Sequence, residues 1–348
     1  MNHPPKNKKF FILRNNDLGD VLVATPLLLE LRKNFPFAEI HIGVGNWAKE
    51  LLLHNPSIDS IVTCNAPWHN KQNCRFPANS PKTFLEGLFY VLFSTERKGI
   101  SKQNFSHGID FLGSRQGAWL MRMCGIPYRM GVKGYAGGDN WAHSSILFDK
   151  EKHVANAGLA FIELLGKTVN TEPRPILILT EKERNEAEIL WGRKKSYSKR
   201  IVIAPGGGFT EKCWGDENFN RLLQCLLNKT THEISVIGSS DDFDRLNIVH
   251  KRVRNLCGKL TLRKSAAIVS KADLVISNTS LSMHLAGSFK VPSLILLGEW
   301  YESAKLHHRQ WGYPESEILG KEKFINEHIV QVSEVLKKIN VKLHVRVP

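Results

Sequence analysis

The sequence lacks an apolar run as long as the ~20 residues that a membrane-spanning helix requires. Its most apolar stretch, 84–93, is interrupted by Glu86 and Gly87. This composition favours a buried helix, and the alternative is a surface helix that dips into a bilayer. No secretory signal peptide is expected either, because the start of the chain leads into a strand without a long apolar segment.

Cysteine pairs of the kind that bind zinc are also missing. The chain has six cysteines, which are far apart and include no Cys-x-x-Cys pair. We therefore expect reduced thiols in a cytosolic protein, most of them filling the core. They are Cys64, Cys74, Cys124, Cys213, Cys225 and Cys257.

Acidic residues are too few to balance the charge of the chain. The 48 Lys and Arg residues against 33 Asp and Glu residues give a net charge of +15. Such an excess suits nucleic acid, an anionic membrane surface or a phosphorylated substrate. No arginine-rich arm, zinc finger or RNP-type aromatic motif accompanies it, so we expect no nucleic-acid partner. If nucleic acid were the partner, binding would fall steeply with salt.

The order of the apolar segments predicts the fold. A length of 348 residues suggests two domains. In both halves short apolar strands alternate with helical patterns, as in parallel sheets wrapped by helices. Two prolines in Thr171–Pro175 mark the linker. We predict two Rossmann-like, doubly wound α/β domains, 1–172 and 173–325, that face a central cleft, with a closing helix and tail over 326–348.

A glycine-rich loop follows the apolar run Ile201–Ile203. The loop contains Gly206, Gly207, Gly208, Thr210 and Lys212. The glycines would let backbone N–H groups approach a ligand closely, while Thr210 and Lys212 add a hydroxyl and a positive charge. With a helix starting directly behind it, such a loop would bind a phosphate or diphosphate. The alternative is a plain turn with a solvated lysine, because neither the Walker nor the GxGxxG pattern is present.

A polar loop follows the first apolar strand and contains two carboxylates, Asp17 and Asp20. The residues alone favour Asp20 as the cap of a single predicted helix, Val21–Asn34, because aspartate is a preferred N-cap. The alternative is a general base, since loops after the strands of parallel sheets lie where such folds bind ligands. Asp17 is the second candidate for that role.

Several short sequence motifs are spread along the chain. They are Ile12–Arg14 with Gly19–Leu22 and Thr25–Pro26, Gly125–Gly131, His153–Val154, Ala204–Gly206 with Lys212–Trp214, and Ser277–Asn278 with Met283–Ala286 and Val291–Pro292. In this order, over nearly the whole chain, they resemble the ADP-heptose:lipopolysaccharide heptosyltransferases, glycosyltransferase family 9. The resemblance implies a GT-B fold. It also implies an inverting, metal-independent transfer of heptose, or a related sugar, from ADP-heptose to a lipopolysaccharide or lipooligosaccharide core.

The same resemblance assigns roles to residues. Asp20 matches the catalytic base, which could also cap its helix, and Lys212 matches the lysine that binds the diphosphate. The implied donor site consists of Gly206, Gly207, Gly208, Thr210, Asp241, Thr279, Ser280, Met283 and His284. For Asp241 the alternative is a capping role, and for His284 it is a histidine satisfied by a neighbouring loop. No cofactor is implied beyond the nucleotide sugar.

One motif departs from the family pattern. Relatives usually carry Asp-Ser/Thr-Gly where this chain has Thr279-Ser280-Leu281. Two alternatives therefore stay open: a GT-B transferase or epimerase that uses another nucleotide sugar, and a non-catalytic homologue that binds glycan or nucleotide. The hydroxyls of Thr279 and Ser280 can still donate hydrogen bonds to a phosphate.

The acceptor that the resemblance implies is an anionic, lipid-linked glycan. Its phosphates and carboxylates would be bound by arginines of the first domain, for which we predict Arg14, Arg122 and Arg129. Arg115 and Lys133 are further candidates, and for each of these residues a solvated surface position is the alternative. The enzyme would then be cytoplasmic and peripheral, on the inner face of the cytoplasmic membrane.

Overall fold

A computed structural model describes residues 8–343 of the chain, except 78, 79, 194, 196, 247, 324 and 326–328. The chain divides into two compact units, Met1–Ile178 and Leu179–Pro348. The boundary falls at 178 rather than at the predicted 172, shortly after the proline-containing segment Thr171–Pro175.

The first unit contains a six-stranded parallel sheet with the strand order β3-β2-β1-β4-β5-β6. Its strands are β1 (Lys9–Leu13), β2 (Glu39–Val44), β3 (Ser60–Thr63), β4 (His107–Asp110), β5 (Tyr128–Lys133) and β6 (Ser144–Leu147). Its α-helices are α1 (Leu18–Val23), α2 (Thr25–Asn34), α3 (Pro81–Phe93), α4 (Thr95–Ser101), α5 (Arg115–Met123) and α6 (Val154–Leu164). Short 3₁₀ helices cover Asn46–Leu52 and Asp139–Trp141.

The second unit contains another six-stranded parallel sheet, in the order β12-β11-β10-β7-β8-β9. Its strands are β7 (Arg200–Ala204), β8 (Glu233–Val236), β9 (Val253–Asn255), β10 (Leu274–Ser277), β11 (Ser293–Leu296) and β12 (Ser316–Leu319). Its α-helices are α7 (Glu181–Trp191), α8 (Asp216–Lys229), α9 (Leu262–Ser270), α10 (Leu281–Ser288), α11 (Ala304–Trp311) and α12 (Val332–Lys342). Short 3₁₀ helices cover Thr210–Lys212 and Ser240–Arg245.

Both sheets follow one plan. Numbered within its own unit, each sheet has the order 3-2-1-4-5-6, with the first strand near the middle. The order reverses beside this strand, β1 or β7, and doubly wound sheets bind ligands at such a switch point, outside the carboxyl ends of the strands. The predicted α/β fold with two doubly wound parallel sheets is confirmed. The loops after β1 and β7 therefore occupy equivalent positions.

The central strands are buried on both faces, which explains their continuous apolar sequences. In β1, Phe10 and Ile12 belong to one core cluster, while Phe11 and Leu13 belong to another. The alternation follows from the two-residue repeat of a strand. β7 is likewise buried over its whole length. Each central strand thus anchors the loop that follows it.

The predicted helix Val21–Asn34 is two helices. The chain leaves α1 at Ala24, and α2 begins at the next residue with Pro26 in its first turn. Proline is tolerated there because the first N–H groups of a helix have no helical partner, whereas it cannot continue a preceding helix. The Thr25 hydroxyl donates to the Leu22 carbonyl near the end of α1. A single helix was therefore a wrong prediction.

The closing helix α12 begins later than predicted. It starts at Val332 rather than near 326, and 326–328 and 344–348 lie outside the described residues. Val335 and Ile339 are buried in the core of the second unit. The helix therefore packs as part of that unit.

Residues 176–179 form a short apolar run but no strand, and they are irregular. The Ile176 N–H group instead donates to the Thr25 hydroxyl at 2.7 Å. This contact ties the end of the first unit back to the start of α2.

Helix α3 is buried on one side only. Leu85, Phe89 and Phe93 are 51%, 63% and 64% exposed, and their spacing places them on one face. The buried residues of the helix are Thr83, Gly87 and Val91. The prediction of a buried helix is therefore wrong for this face. Within the described residues, no helix is both long and apolar enough to cross a membrane.

Candidate functional site

The loop after β1 leads into a short helix that carries a carboxylate. Asp20 lies in the first turn of α1, and its Oδ1 accepts a hydrogen bond from Arg14 Nη2 at 3.0 Å. Arg14 Nε also donates to the Asp20 carbonyl at 3.1 Å. The guanidinium is buried and lies 4.7 Å from the centre of the Phe111 ring. These contacts fix the carboxylate, whose side chain is 29% exposed.

The N-cap residue of this helix is Asp17. Because α1 begins at Leu18, Asp17 stands at the cap position, although its side chain makes no capping hydrogen bond. Its Oδ1 instead accepts from the Lys71 N–H group at 3.0 Å. The capping alternative for Asp20 is therefore wrong, and Arg14 positions the Asp20 carboxylate.

An irregular segment after β3 packs against this loop. Asn15 Nδ2 donates to the Trp68 carbonyl at 3.1 Å, and Asn16 Nδ2 donates to the His69 carbonyl at 2.8 Å. Trp68 is fully buried, so the segment is part of the packed unit. Burial and the charge of Arg14 lower the pKa of His69, which keeps its ring neutral at pH 7. His69 is a neighbour of the site to which sequence reasoning gave no role.

Two arginines predicted to bind the acceptor lie away from Asp20. Arg129 is near the start of β5, and its side chain donates to the carbonyls of Ile126 at 2.6 Å and Trp141 at 3.1 Å. Arg122 is in the last turn of α5, and after burial its charge is the second cause that lowers the pKa of Arg129. Both lie toward the amino end of the parallel sheet, whereas Asp20 follows the carboxyl end of β1. The structure does not bring these arginines together with the carboxylate.

Two other cations do lie at the carboxyl end of the first sheet. Arg115 is the first residue of α5 and Lys133 the last of β5, and both are exposed. At the end of β4, the buried carboxylate of Asp110 accepts from the N–H and hydroxyl groups of Ser114 at 2.8 and 3.2 Å. Burial raises the pKa of Asp110 to about 6. These bonds hold the start of α5 at the same end of the sheet as Asp20.

The glycine loop after β7 does not run directly into a helix, contrary to the prediction. The 3₁₀ helix Thr210–Lys212 follows the glycines, and α8 begins only after it. A Cβ atom on Gly206 would lie 2.5 Å from the Asp242 carboxylate, and one on Gly207 would lie 2.6 Å from the Cys213 sulfur. These glycines are thus required by close approaches inside the unit.

Asn278 joins the two ends of this loop. Its Nδ2 donates to the Pro205 carbonyl at 2.6 Å, and its Oδ1 accepts from the Trp214 N–H group at 2.9 Å. A fully buried amide can do this because it carries both a donor and an acceptor. The exposed residues of the loop include Gly207, Gly208 and Thr210. Asn278, the residue directly after β10, therefore fixes the conformation of the loop. This role was not predicted from the sequence.

Lys212 lies among aromatic side chains. Its Nζ is 4.6 Å from the centre of the Phe209 ring and 5.9 Å from that of Tyr301. Trp300, which is exposed, packs edge-on against Phe209 with the ring centres 5.1 Å apart. Aromatic faces attract an ammonium group and so favour this position for Lys212. The aromatic neighbours were not found from the sequence.

Thr279, predicted to contact the donor, belongs to the same cluster. Its hydroxyl lies 2.9 Å from His307 Nε2, and the His307 ring centre is 4.6 Å from that of Tyr301. Burial, followed by the charge of Lys212, lowers the pKa of His307 to about 4. The ring is therefore neutral at pH 7. We call Lys212, Thr279, Tyr301 and His307 the lysine cluster.

Met283 and His284 are turned into the second unit. Met283 is fully buried in an apolar cluster with Ile295 and Leu297. His284 is also buried, and its Nδ1 lies 2.7 Å from the Tyr313 hydroxyl. Burial thus removes the Met283 side chain from the surface that a donor could reach. For His284 the structure shows the alternative, a histidine with an internal hydrogen-bond partner.

Ser280 and Asp241 lie at or near the N-termini of two helices. Ser280 is the N-cap residue of α10, and its side chain makes no capping hydrogen bond. Asp241 is exposed in the 3₁₀ helix Ser240–Arg245, whose cap is formed by Ser239 with Asp242 as its partner. The capping alternative for Asp241 therefore does not apply, and its carboxylate lies at the surface.

The arrangement of polar groups suggests two kinds of chemistry. A fixed carboxylate such as Asp20 can accept a proton from a hydroxyl nucleophile. The lysine cluster and the exposed loop beside it can bind an anionic leaving group. Among the described residues, no group of three or more His, Cys, Asp or Glu residues is arranged to hold a metal ion.

Comparison with known proteins gives a consistent result. The sequence pattern of glycosyltransferase family 9 (heptosyltransferase) matches residues 95–304. The chain is 24% identical over 294 residues to lipopolysaccharide heptosyltransferase 3 of Escherichia coli (strain K12), which covers 80% of this chain and 79% of that protein. It is 25% identical over 303 residues to lipopolysaccharide core heptosyltransferase OpsX of Haemophilus influenzae, which covers 82% and 77%.

A solved structure shares the whole architecture. The ADP-heptose lipopolysaccharide heptosyltransferase II of E. coli superposes with a TM-score of 0.73 at 17% identity, over 97% of this chain and 98% of that one. At this level of identity the likeness establishes the fold. Both chains have the GT-B fold of two Rossmann-like domains.

Proposed function

Because this chain belongs to glycosyltransferase family 9, the heptosyltransferase family, we propose that it transfers heptose, or a closely related sugar, from ADP-heptose to a lipopolysaccharide or lipooligosaccharide core. The matched relatives are named for heptose transfer in lipopolysaccharide, and a solved neighbour is named for the ADP-heptose donor. The observation that carries the proposal is the pair of loops at equivalent switch points, one with Asp20 and one with Lys212.

Asp20 is the general base of the proposed reaction. It accepts the proton of an acceptor hydroxyl while that oxygen attacks the anomeric carbon, and the bond from this carbon to the diphosphate breaks. Attack from the face opposite the leaving group inverts the anomeric configuration. Arg14 is a positioning residue, because its hydrogen bond at 3.0 Å orients the carboxylate. No second carboxylate is required, since a nucleoside diphosphate leaves without protonation.

Lys212 and its loop bind the diphosphate in this proposal. The ammonium compensates the charge that develops on the leaving group. The N–H groups of Gly207 and Gly208 and the hydroxyl of Thr210 are at the exposed side of the loop and supply further donors. Gly206 contributes indirectly, because its lack of a side chain lets the loop pack against Asp242.

The remaining donor contacts come from residues around the lysine cluster. Thr279, oriented by neutral His307, and Ser280 at the start of α10 would donate hydrogen bonds to a phosphate. The exposed rings of Phe209 and Trp300 offer the nucleobase a stacking surface. Asp241 would accept hydrogen bonds from the ribose hydroxyls. Neither a metal nor a cofactor beyond the nucleotide sugar enters the proposal, so turnover in the presence of a chelator should be unchanged.

The acceptor binds beside Asp20. We assign Arg115 and Lys133 to its anionic groups in place of Arg122 and Arg129, because the former lie at the carboxyl end of the sheet. A lipid-linked acceptor would bring the enzyme to the inner face of the cytoplasmic membrane as a peripheral protein. Nucleic acid has no part in this function.

Transfer with defined donors and acceptors tests the proposal. The purified chain is incubated with ADP-heptose, UDP-sugars or GDP-sugars and a lipopolysaccharide core that lacks the relevant heptose. We expect a mass gain of one heptose from ADP-heptose alone, with an inverted anomeric centre by NMR. Transfer from a UDP- or GDP-sugar would overturn the donor assignment. Absence of transfer from any donor, with any core acceptor, would overturn the proposed function.

A further inference from the structure

Helix α3 has apolar side chains on both of its faces: Phe84 and Tyr90 pack inward, and three large apolar side chains point outward. A helix on the surface of a protein normally turns its large apolar residues inward. Here the inward face also carries Thr83, Gly87 and Val91, while Leu85, Phe89 and Phe93 are more than half exposed. We call these last three side chains the α3 stripe. It is a continuous apolar strip over two turns, of the kind that marks an interaction surface.

The orientation of α3 is fixed by its inward contacts. A Cβ atom on Gly87 would lie 3.1 Å from Gln116 Cγ and 3.4 Å from Trp68, so this position leaves little room for a side chain. The Tyr90 ring packs edge-on against Trp68 with the centres 5.4 Å apart, and the Tyr90 hydroxyl donates to Glu96 at 2.6 Å. Rotating the stripe inward would break these contacts. The helix is therefore held with its apolar face outward.

The chain around the stripe is strongly basic. Between 71 and 104 it carries six cations, which are Lys71, Arg75, Lys82, Arg97, Lys98 and Lys102, and two carboxylates, which are Glu86 and Glu96. Glu96 accepts hydrogen bonds from Asn65 and Tyr90 inside the unit. Lys82, in the first turn of α3, and Lys98 and Lys102, one turn apart at α4, are exposed. Apolar residues flanked by lysines are typical of helices that lie in the plane of an anionic membrane.

Helix α3 and the loop that leads to Asp20 both contact one residue, Trp68. Trp68, whose ring contacts Tyr90 of α3, accepts a hydrogen bond through its carbonyl from Asn15 at 3.1 Å. Asn15 belongs to the same loop as Asp20 and Arg14. Within the first unit, helix α3 contacts the Trp68 ring, and the loop that leads to the proposed base contacts the Trp68 backbone carbonyl.

We infer that the α3 stripe, with Lys82, Lys98 and Lys102, docks the first unit on the surface of a bilayer that contains anionic lipids. The side chains of Leu85, Phe89 and Phe93 enter the boundary between headgroups and acyl chains, and the lysines bind lipid phosphates. The inference rests on the proposed function for its reason, because a lipid-linked acceptor is presented at such a surface. It goes further in naming the helix that makes the contact.

Sedimentation with vesicles tests the inference on the full-length chain. The vesicles consist of phosphatidylcholine alone or with about one third phosphatidylglycerol. We expect the native chain to bind the anionic vesicles and the triple variant Leu85→Ser/Phe89→Ser/Phe93→Ser to bind them about tenfold or more weakly. The single variant Phe89→Ser should show an intermediate loss, and it serves as the test if the triple variant does not fold. Equal binding by native chain and variants would overturn the inference.

A matched control removes as many exposed apolar side chains from the second unit. Ile189→Ser/Val249→Ser/Val341→Ser changes three highly exposed positions and should bind anionic vesicles like the native chain. Loss of binding in this control equal to the loss in the α3 variant would overturn the inference, because binding would then follow general hydrophobicity. The double variant Lys98→Glu/Lys102→Glu should lose the preference for anionic over neutral vesicles, and a retained preference would contradict the role of the lysines.

Two further measurements separate this inference from the proposed function and from self-association. Transfer to a water-soluble core acceptor without its lipid should be the same for the native chain and the α3 triple variant, while transfer to acceptor in vesicles should fall. Failure of both chains on the soluble acceptor would count against the proposed function and not against docking.

If light scattering shows a native dimer that the triple variant converts to monomer, with vesicle binding unchanged, the stripe is a contact between two copies and the inference is overturned.

Discussion

The two units carry different functional groups at equivalent positions of the same fold. In each unit the loop after the first strand leaves the carboxyl end of a six-stranded parallel sheet at the point where the strand order reverses. In the first unit this loop leads to Asp20, which is bound to a buried arginine. In the second it carries glycines and Lys212, which is surrounded by aromatic rings. In the proposed function, one architecture thus supplies a proton acceptor in one unit and a diphosphate-binding cation in the other.

The two loops also differ in how they are held. Asp20 is positioned by Arg14, a residue of the same loop region. The loop of Lys212 is held by Asn278, and the ammonium has Tyr301 as a neighbour, both far along the chain. The Asp20 carboxylate is therefore oriented by a residue close to it in the sequence, whereas the loop of Lys212 is held by a residue far along the chain.

Neutralising the carboxylate should have the largest effect and should separate the roles of the units. Asp20→Asn keeps the size of the side chain but removes the proton acceptor, so turnover should fall by about 10²–10⁴. The Kd for ADP should change only a few-fold, because the proposed donor contacts lie in the second unit. Transfer rates and calorimetric titration with ADP measure both quantities. Asp17→Asn is the matched control, and equal losses in the two variants would contradict the assignment of the base.

Removing the cation should produce the complementary defect. Lys212→Ala should lower turnover by about 10²–10³, because the leaving diphosphate loses its main charge partner. Unlike Asp20→Asn, it should also weaken the binding of ADP. Lys212→Arg keeps the charge and should recover part of both losses. Unchanged ADP affinity in Lys212→Ala would contradict the proposal that Lys212 binds the diphosphate.

Loosening the second loop should show that it depends on distant residues. Asn278→Ala removes the bonds to both ends of the loop and leaves buried partners unsatisfied, which should cost about 1–3 kcal/mol of unfolding free energy. ADP affinity should also fall. Asn218→Ala is a control nearby, since its amide donates to the Trp214 carbonyl at 2.8 Å. Urea unfolding and ADP titration of both variants measure the effect, and similar results for the two would argue against the role of Asn278.

The smallest predicted effect concerns stability in acid and is confined to the second unit. Arg263 lowers the pKa of Glu183 to about 2 from its usual 4.5, and the pair supports the start of α7. A carboxyl group whose pKa is lowered in the folded state stabilises the protein above the unfolded pKa, and this gain is lost as the pH falls through the folded pKa. Glu183→Gln should therefore cost about 1–3 kcal/mol at pH 7 and progressively less below about pH 4.5. Thermal unfolding from pH 7 to pH 3 measures the change, and a constant difference would contradict the role of the ion pair.

The sheets could be predicted from the sequence because their strands are short, continuously apolar runs that are buried on both faces. The break between α1 and α2 could also have been predicted from Pro26, because proline is favoured in the first turn of a helix. The outward face of α3 could not be predicted in the same way. Its inward and outward faces are both largely apolar, and only the contacts of Gly87 and Tyr90 decide which side packs.

The candidate site was predictable where its residues are close together in the sequence. Asp20 and Lys212 stand in motifs after apolar strands, so their positions follow from the fold. Arg122 and Arg129 were misplaced because a pattern of positive charge does not reveal which end of a strand or helix a residue occupies. His307 was missed because it lies far along the chain from Thr279, and only the packed unit brings the two side chains to 2.9 Å.

The proposed roles are Asp20 as the base and Lys212 as the residue that binds the diphosphate. Measuring both ADP-sugar binding and single-turnover transfer for Asp20→Asn and Lys212→Ala tests them together. We expect the first variant to bind the donor with near-native affinity yet scarcely transfer the sugar, and the second to lose affinity and rate together. Native transfer by Asp20→Asn, or an identical pattern in the two variants, would contradict these roles.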